Sequence, residues 1–267
     1  MADLLRRAPQ CRTEPPAGYV WTPPPFNIVL PFCEKDRDQA VKVLSWQAEL
    51  CAQQPNTLHL LTDEGVECAD IVRIAQQSWQ KVYLHRIQPI RGKWPAGNNH
   101  AFVEICKLMV QFGRPWLLLE TDIVATCQDW LQRLEQEYAE AKRPFMGPWF
   151  EAYDLMNGGG SVYPPDTLAW IPNFLRKPAA EQPAFDVVIS PEIIWFSHAN
   201  NHLSQNIFFS RNNGRPGGVI GTTSPKWTKR MFEWVYNHHL CLLHRDKSGA
   251  TIEFLREKFF DTASNQA

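Results

Sequence analysis

Long apolar runs, net charge and paired cysteines are all scarce in these 267 residues. No stretch approaches the ~18 consecutive apolar residues of a membrane-spanning helix, so no membrane insertion is expected. The first 25 residues, MADLLRRAPQCRTEPPAGYVWTPPP, lack the apolar core of a secretory signal. A formal net charge of -1 supplies no global field to draw the protein onto nucleic acid or an anionic membrane, so any such contact must be a local patch. The seven cysteines form no CxxC pair, and most sit in apolar runs where a free thiol behaves as a small hydrophobe. Odd in number and unpaired, they predict a reducing compartment and a cytoplasmic protein. Internal repeats and low-complexity tracts are also missing.

What remains is a globular composition with a heavy aromatic load: 44% hydrophobic, 21% charged and 11 tryptophans. Residues 1–25 hold six prolines and read as an irregular arm, with Tyr19 and Trp21 pinning its later part to the domain. FNIVLPF (26–32) reads as a buried strand, and EKDRDQAVKVLSWQAELCAQQ as a helix ended by Pro55. TLHLLTDE (57–64) and KVYLHRI (81–87) are further strands, with CADIVRIAQQSWQ a helix between them. In residues 98–113, Phe102, Ile105, Cys106, Met109 and Val110 form one stripe and Gly113 supplies a stop, which predicts a third helix before the strand PWLLLETD. The order β-α-β-α-β-α-β predicts an α/β class fold, a mostly parallel central sheet with helices on both faces. The second half is more mixed. QDWLQRLEQEYAEAK reads as a helix, FMGPWF, GGGSVYP and FDVVIS as strand-like pieces, and residues of about 191–205 and 225–238 as helices.

Ligands of such sheets bind beyond the carboxyl ends of the strands, where Glu120 and Asp122 stand after Leu117, Leu118 and Leu119. Two carboxylates there cost several kcal/mol in desolvation unless a cation meets them. Acids one residue apart suit a hard divalent cation, magnesium or manganese, which completes its shell with phosphate oxygens. Acids that only end a strand and face water are the plain alternative.

FNIVLPF, the acidic end of TLHLLTDE, and GNNHAFVEICKLMVQFGRPWLLLETDIV together resemble the nucleotide-binding half of the GT-A glycosyltransferases. The resemblance is one of pattern and order over residues 26–250. Glu120-Thr121-Asp122 looks like the D-x-D motif of that family, with Glu in place of the first Asp. The family implies a single GT-A-like domain at 26–255, divided into a nucleotide-binding half (26–125) and an acceptor half (126–255), with a tail at 256–267. It implies Glu120, Asp122 and a late histidine, His244, as metal ligands, and Lys247 of LLHRDKSG as a contact of the diphosphate. It also implies that Gly158, Gly159 and Gly160 of MNGGGSVYPPDTL lie close to the donor sugar, and Asp63 near the base or ribose. Tight bends or a strand-end turn would explain the same residues without a ligand.

Asn98 and Asn99 either cap the helix or touch the nucleotide, with capping favoured. Asp186 and Glu192 are the acids placed where a catalytic base is expected, and the residues do not choose between them. His198 and His202 have zinc-like i,i+4 spacing on an expected helix but lack the glutamate of HExxH. Arg211, Arg215, Lys226, Lys229 and Arg230 form a basic cluster around Trp227, read either as a solvated loop or as a patch for a polyanionic acceptor such as nucleic acid. Lys226, Trp227, Lys229 and Arg230 are the acceptor candidates.

The expectation is a metal-dependent, hexosyltransferase-like glycosyltransferase. It moves a sugar from a nucleotide-diphosphate sugar to a soluble acceptor, whether saccharide, protein or modified nucleic acid. The alternatives are a nucleotidyltransferase acting on a sugar phosphate, disfavoured because PFCEKDRD after the first strand holds no glycine, and a non-catalytic sugar-nucleotide-binding protein.

Overall fold

The computed structural model describes residues 12–51, 53–88, 95–150, 155–156, 158–199, 209–210, 218–219, 241–244 and 249–261. Its first half alternates as the hydrophobic pattern requires: β1 (Asn27–Pro31), α1 (Arg37–Leu50), β2 (Gln54–Asp63), α2 (Ala69–Ser78), β3 (Trp79–Ile87), α3 (Ala96–Met109), β4 (Trp116–Leu118) and β5 (Ile123–Ala125). The second half adds α4 (Trp130–Ala141), β6 (Phe145–Gly147), β7 (Trp149–Phe150), β8 (Leu155–Met156), β9 (Val162–Tyr163), α5 (Thr167–Trp170), α6 (Phe185–Ile193) and β10 (Ser197–Ala199). After these come β11 (Phe209–Ser210), β12 (Gly218–Val219), β13 (Leu242–His244) and α7 (Ala250–Arg256).

Seven strands form the main sheet in the order β10-β6-β9-β4-β1-β2-β3. β3, β2, β1 and β4 run parallel, β9 is antiparallel to both β4 and β6, and β10 is parallel to β6. The chain winds outward from β1 through β2 to β3 and then returns to place β4 on the other side of β1. That reversal opens a crevice between the carboxyl ends of β1 and β4, the place where sheets of this kind bind ligands.

Side chains alternate across each strand with period two, and both sets are apolar. Ile28, Leu30, Leu58, Leu60, Leu117 and Leu119 pack on one face beneath α1, α2, α4 and α7. Val29, Leu61, Trp116 and Leu118 point to the other, where Phe102, Ile105 and Met109 of α3 meet them with Trp170 and Phe185. The arm is held by aromatic contacts: Tyr19 meets Trp170 edge-on at 4.7 Å, and Trp21 stacks on Tyr138 at 5.8 Å.

Gly113 stops the helical segment in the left-handed region, with φ of 60°. Pro55 lies inside β2, at the break in register between Gln54 and Thr57, and α1 ends earlier, at Leu50. The strand expected at FDVVIS is instead the start of α6. Its β-branched run mimics a strand, but Phe185, Ile189 and Ile193 recur every four residues and are all buried on one helical stripe. The expected helix over 191–205 is also corrected, because α6 ends at Ile193 and Ser197–Ala199 is strand β10. His198 therefore stands on a strand beside Met146 of β6, with its Nε2 2.8 Å from Glu137 Oε1, and not on a helix face with a second histidine. His202 and residues 225–238 lie outside the described residues.

Candidate functional site

The acidic pair occupies a tight turn between β4 and β5. The Ile123 N–H donates to the Glu120 carbonyl at 3.0 Å, which closes the turn. The segment before it is clamped from both sides: the Leu119 N–H donates to Val29 of β1 at 2.8 Å, and the Gly160 N–H donates to Leu118 at 2.7 Å. The backbone that presents the carboxylates is thus fixed by the centre of the sheet. Asp122 is 9% exposed, while the Glu120 side chain keeps 32% of its surface.

β13 reaches this turn from far along the chain. It pairs antiparallel with β5, setting Leu242 against Ala125, Leu243 against Val124 and His244 against Ile123. Apolar Leu242 and Leu243 are buried, which seats the strand, and the next residue delivers the imidazole. His244 Nε2 lies 2.8 Å from Glu120 Oε2 and 3.2 Å from Asp122 Oδ1. Burial disfavours charging this ring, but hydrogen bonds to Asp122 and Glu120 outweigh it and raise the pKa to about 9. At neutral pH the ring is a cation, and it partly neutralises the two acids.

Each glycine of the triplet at 158–160 has its own reason. A Cβ at Gly158 would strike the Phe185 ring, and one at Gly159 would sit 2.6 Å from Glu120 Oε2. Gly160 has φ of 76°, which side-chain-bearing residues rarely adopt. All three are buried, and Gly159 backs the Glu120 carboxylate.

A cavity of about 800 Å³ opens in front of this group, at the carboxyl ends of all four parallel strands. Phe32 and Cys33 follow β1, Asp63 ends β2, Ile87 ends β3, and Glu120, Thr121 and Asp122 follow β4. Asn98 and Phe102 enter from α3 and Phe185 from α6. Phe102 and Phe185 stack at 4.1 Å with 12° between their planes, making a flat apolar wall. Among the described residues of the lining, Glu34, Asp36, Asp63, Glu120 and Asp122 face a single basic residue, Lys35. So acidic a set of described residues favours a cation.

The structure therefore brings together Glu120, Asp122 and His244, and sets Asp63 and Asn98 on the same cavity. Asn98 lies within the first turn of α3, where no side-chain cap forms, and its neighbour Asn99 turns into the core to donate to Ala179 and Pro183 carbonyls. Asp186 follows Phe185 in the first turn of α6, its carboxylate accepting the N–H groups of Val187 and Gly158. Burial and the charge of Glu120 raise its pKa. Glu192 does not join the group, since both its oxygens accept backbone N–H groups, Asn173 and Phe174, at 3.2 Å. Lys247, Lys226, Trp227, Lys229 and Arg230 lie outside the described residues.

The sequence reading missed Phe102, Phe185, Cys33 and Lys35 as parts of the site. Phe102 belongs to an apolar stripe indistinguishable from core. The loop after β1 was identifiable in principle, because it leaves the carboxyl end of a central strand.

Glu120, Asp122 and His244 form a group able to hold a metal ion, with one ligand atom from each lying within 4.8 Å of the others. Two carboxylate oxygens and an imidazole nitrogen are a donor set that suits manganese or magnesium.

No protein-family model matches the chain, and no curated protein sequence matches it. Solved structures do. An active-site mutant of LgtC superposes with a TM-score of 0.56 at 12% identity, over 87% of this chain and 94% of that one. The galactosyltransferase LgtC in complex with donor and acceptor sugar analogues gives 0.55 at 10% identity, over 88% and 96%. The glycosyltransferase GlyE of Streptococcus pneumoniae TIGR4 gives 0.55 at 10% identity over 91% of this chain, which spans 64% of GlyE. At such identities the likeness is one of fold, and the architecture of this chain is that of the GT-A glycosyltransferases.

Proposed function

We propose that this chain is a metal-dependent glycosyltransferase that moves a hexosyl group from a nucleotide-diphosphate sugar to an acceptor hydroxyl. The observation that carries the reading is the convergence of Glu120, Asp122 and His244, of which the two acids line the cavity. Glu120 and Asp122 would hold magnesium or manganese with His244, which first gives up its proton. The ion, when bound, would draw in the diphosphate and offset the charge that develops on the departing nucleoside diphosphate.

The remaining roles belong to this chain's own residues. Asp63 and Asn98 bind the nucleotide from the β2 and α3 sides of the cavity. Gly158, Gly159 and Gly160 keep the Glu120 carboxylate in place and let the backbone lie close to the donor. Lys247 meets the diphosphate. In transfer, the bond between the anomeric carbon and the diphosphate oxygen breaks, a bond to the acceptor oxygen forms, and the acceptor hydroxyl proton passes to a base. Burial raises the pKa of both acids proposed for that step, and each accepts two backbone N–H groups. Position alone favours Asp186, which adjoins the cavity wall at Phe185. Lys226, Trp227, Lys229 and Arg230 bind the acceptor, a polyanion such as nucleic acid. The setting is the cytoplasm.

The direct test is hydrolysis of a panel of nucleotide-diphosphate sugars by the purified protein, with manganese and with chelator. Manganese-dependent release of a nucleoside diphosphate is expected. Release of pyrophosphate from a nucleoside triphosphate and a sugar phosphate would favour a nucleotidyltransferase, and neither reaction would leave a binding protein.

A further inference from the structure

We propose that Cys127 and Cys241 are a redox-modification site: a low-molecular-weight disulfide such as oxidised glutathione converts them to a reversible disulfide that fastens β13 to β5 and holds His244 at the acids. The bond itself is independent of the enzymatic reading, and only its consequence for the metal group rests on that reading.

The ladder that delivers His244 is short. β13 meets β5 through three residue pairs, His244 with Ile123, Leu243 with Val124 and Leu242 with Ala125. Two strands paired over so few residues are marginal alone, and a slip of one residue would turn the imidazole to the other face. Its hold depends on what is fastened at its ends. At the end away from the acids, the Thr126 N–H donates to the Cys241 carbonyl at 2.9 Å, which carries the pairing one residue beyond the strands. Cys127 is the next residue, and its thiol is a hydrogen-bond partner of the Cys241 side chain. Residues offset by one across an antiparallel pair stand roughly 5.5–6.5 Å apart between Cα atoms. That spacing lies inside the range that a disulfide spans. Cys51 also approaches this turn, but its thiol donates to the Gln128 carbonyl at 3.6 Å.

Unequal burial sets the order of events. Cys241 is fully buried, whereas Cys127 is only half-buried against the same core cluster. The oxidant therefore reaches Cys127 first. The Cys127 thiolate attacks one sulfur of the glutathione disulfide and one glutathione leaves. The Cys241 sulfur then attacks the Cys127 sulfur, and the second glutathione leaves. One disulfide is reduced as another forms, and the two thiol protons end on the two glutathiones. The hydrogen bond with Cys241, burial and the Asp129 carboxylate all raise the Cys127 pKa, so thiolate is scarce and the exchange is slow. In a reducing setting the pair rests as a dithiol and closes under sustained oxidation, as redox-sensing disulfides of the cytosol do.

Peptide mapping of the full chain tests this, after equilibration with oxidised glutathione at mildly alkaline pH and digestion without reduction. A link between Cys127 and Cys241 is expected, and dithiothreitol should remove it. The bond closes a loop of roughly 110 residues, so oxidation should raise Tm by about 5–10 °C. Hydrogen exchange at residues 242–244 should slow about tenfold. Both effects should vanish in Cys127→Ser, which leaves the buried Cys241 untouched; if that variant does not fold, the wild-type map and exchange decide. Thiols at 127 and 241 that both stay alkylatable, glutathione retained on Cys127, a link to Cys51 instead, or a mapped link with unchanged exchange at 242–244 overturns the proposal. Manganese calorimetry on both forms separates the two readings: a mapped link and slowed exchange without manganese binding in either form supports the disulfide and overturns the metal site.

Discussion

His244 stands directly opposite Ile123 in a two-strand ladder, and its Nε2 lies 2.8 Å from Glu120 Oε2 although 124 positions separate the two residues in the chain. The group of Glu120, Asp122 and His244 is thus assembled by backbone pairing, and side-chain reach has only the last few ångströms to cover. An imidazole held this way acts as a protonic substitute for the cation, and the first prediction concerns that proton.

The His244 pKa is raised above its ordinary value of 6.5 to about 9, so the folded state binds this proton more tightly than the unfolded chain. The sign follows: the stabilisation is full below pH 6.5 and is lost as pH rises through 9. In metal-free protein the loss should amount to roughly 3 kcal/mol at most. His244→Gln should flatten that slope, as checked by urea titrations across this range. Manganese binding should release a proton and strengthen with pH until His244 is neutral.

Gly159→Ala tests the support behind Glu120. The new methyl group must displace the carboxylate or the loop. We expect about tenfold weaker manganese binding and a stability loss of about 1–3 kcal/mol, read by calorimetry and thermal unfolding.

Asp186→Asn and Glu192→Gln should separate chemistry from scaffold. Asp186 is a carboxylate whose folded pKa is raised, so its charge is a burden above the ordinary carboxylate range. Its amide should hold or increase stability while transfer falls by about 10²–10⁴-fold. Burial raises the Glu192 pKa too, so its amide should likewise hold stability, but it should leave activity nearly intact because Glu192 does not adjoin the cavity wall. The reverse pattern would exchange the two roles.

Hydrogen exchange over residues 242–249 measures whether nucleotide engages this segment. β13 carries His244, and a ligand at the metal should slow its opening. Protection should rise with nucleoside diphosphate plus manganese and stay unchanged with either alone.

The parallel half of the fold was readable because the central strands are short apolar runs and the helices carry 3.6-period stripes, the third with a stop at Gly113; the first helix ends before Pro55, which lies in β2. Glu120 and Asp122 were readable because carboxylates interrupt three leucines where strand ends collect ligands. The reading failed at FDVVIS, where β-branched residues favour a strand locally and burial of Phe185, Ile189 and Ile193 on one helical face decides otherwise. It could not place His244 from spacing alone, since only the pairing of β13 with β5 brings that ring to the acids. Nor could it tell the wall residues Phe102 and Phe185 from core, because a stacked aromatic pair beside a cavity looks in sequence like any other apolar stripe.

The central claim is that Asp122 couples a divalent cation to nucleotide binding, and calorimetry of nucleoside diphosphates with Asp122→Asn tests it most directly. The wild type should bind in manganese and lose at least ~100-fold in affinity with chelator, and Asp122→Asn should bind in manganese no better than the wild type does in chelator. Equal affinity of Asp122→Asn and wild type in manganese, with the fold intact, would contradict the account.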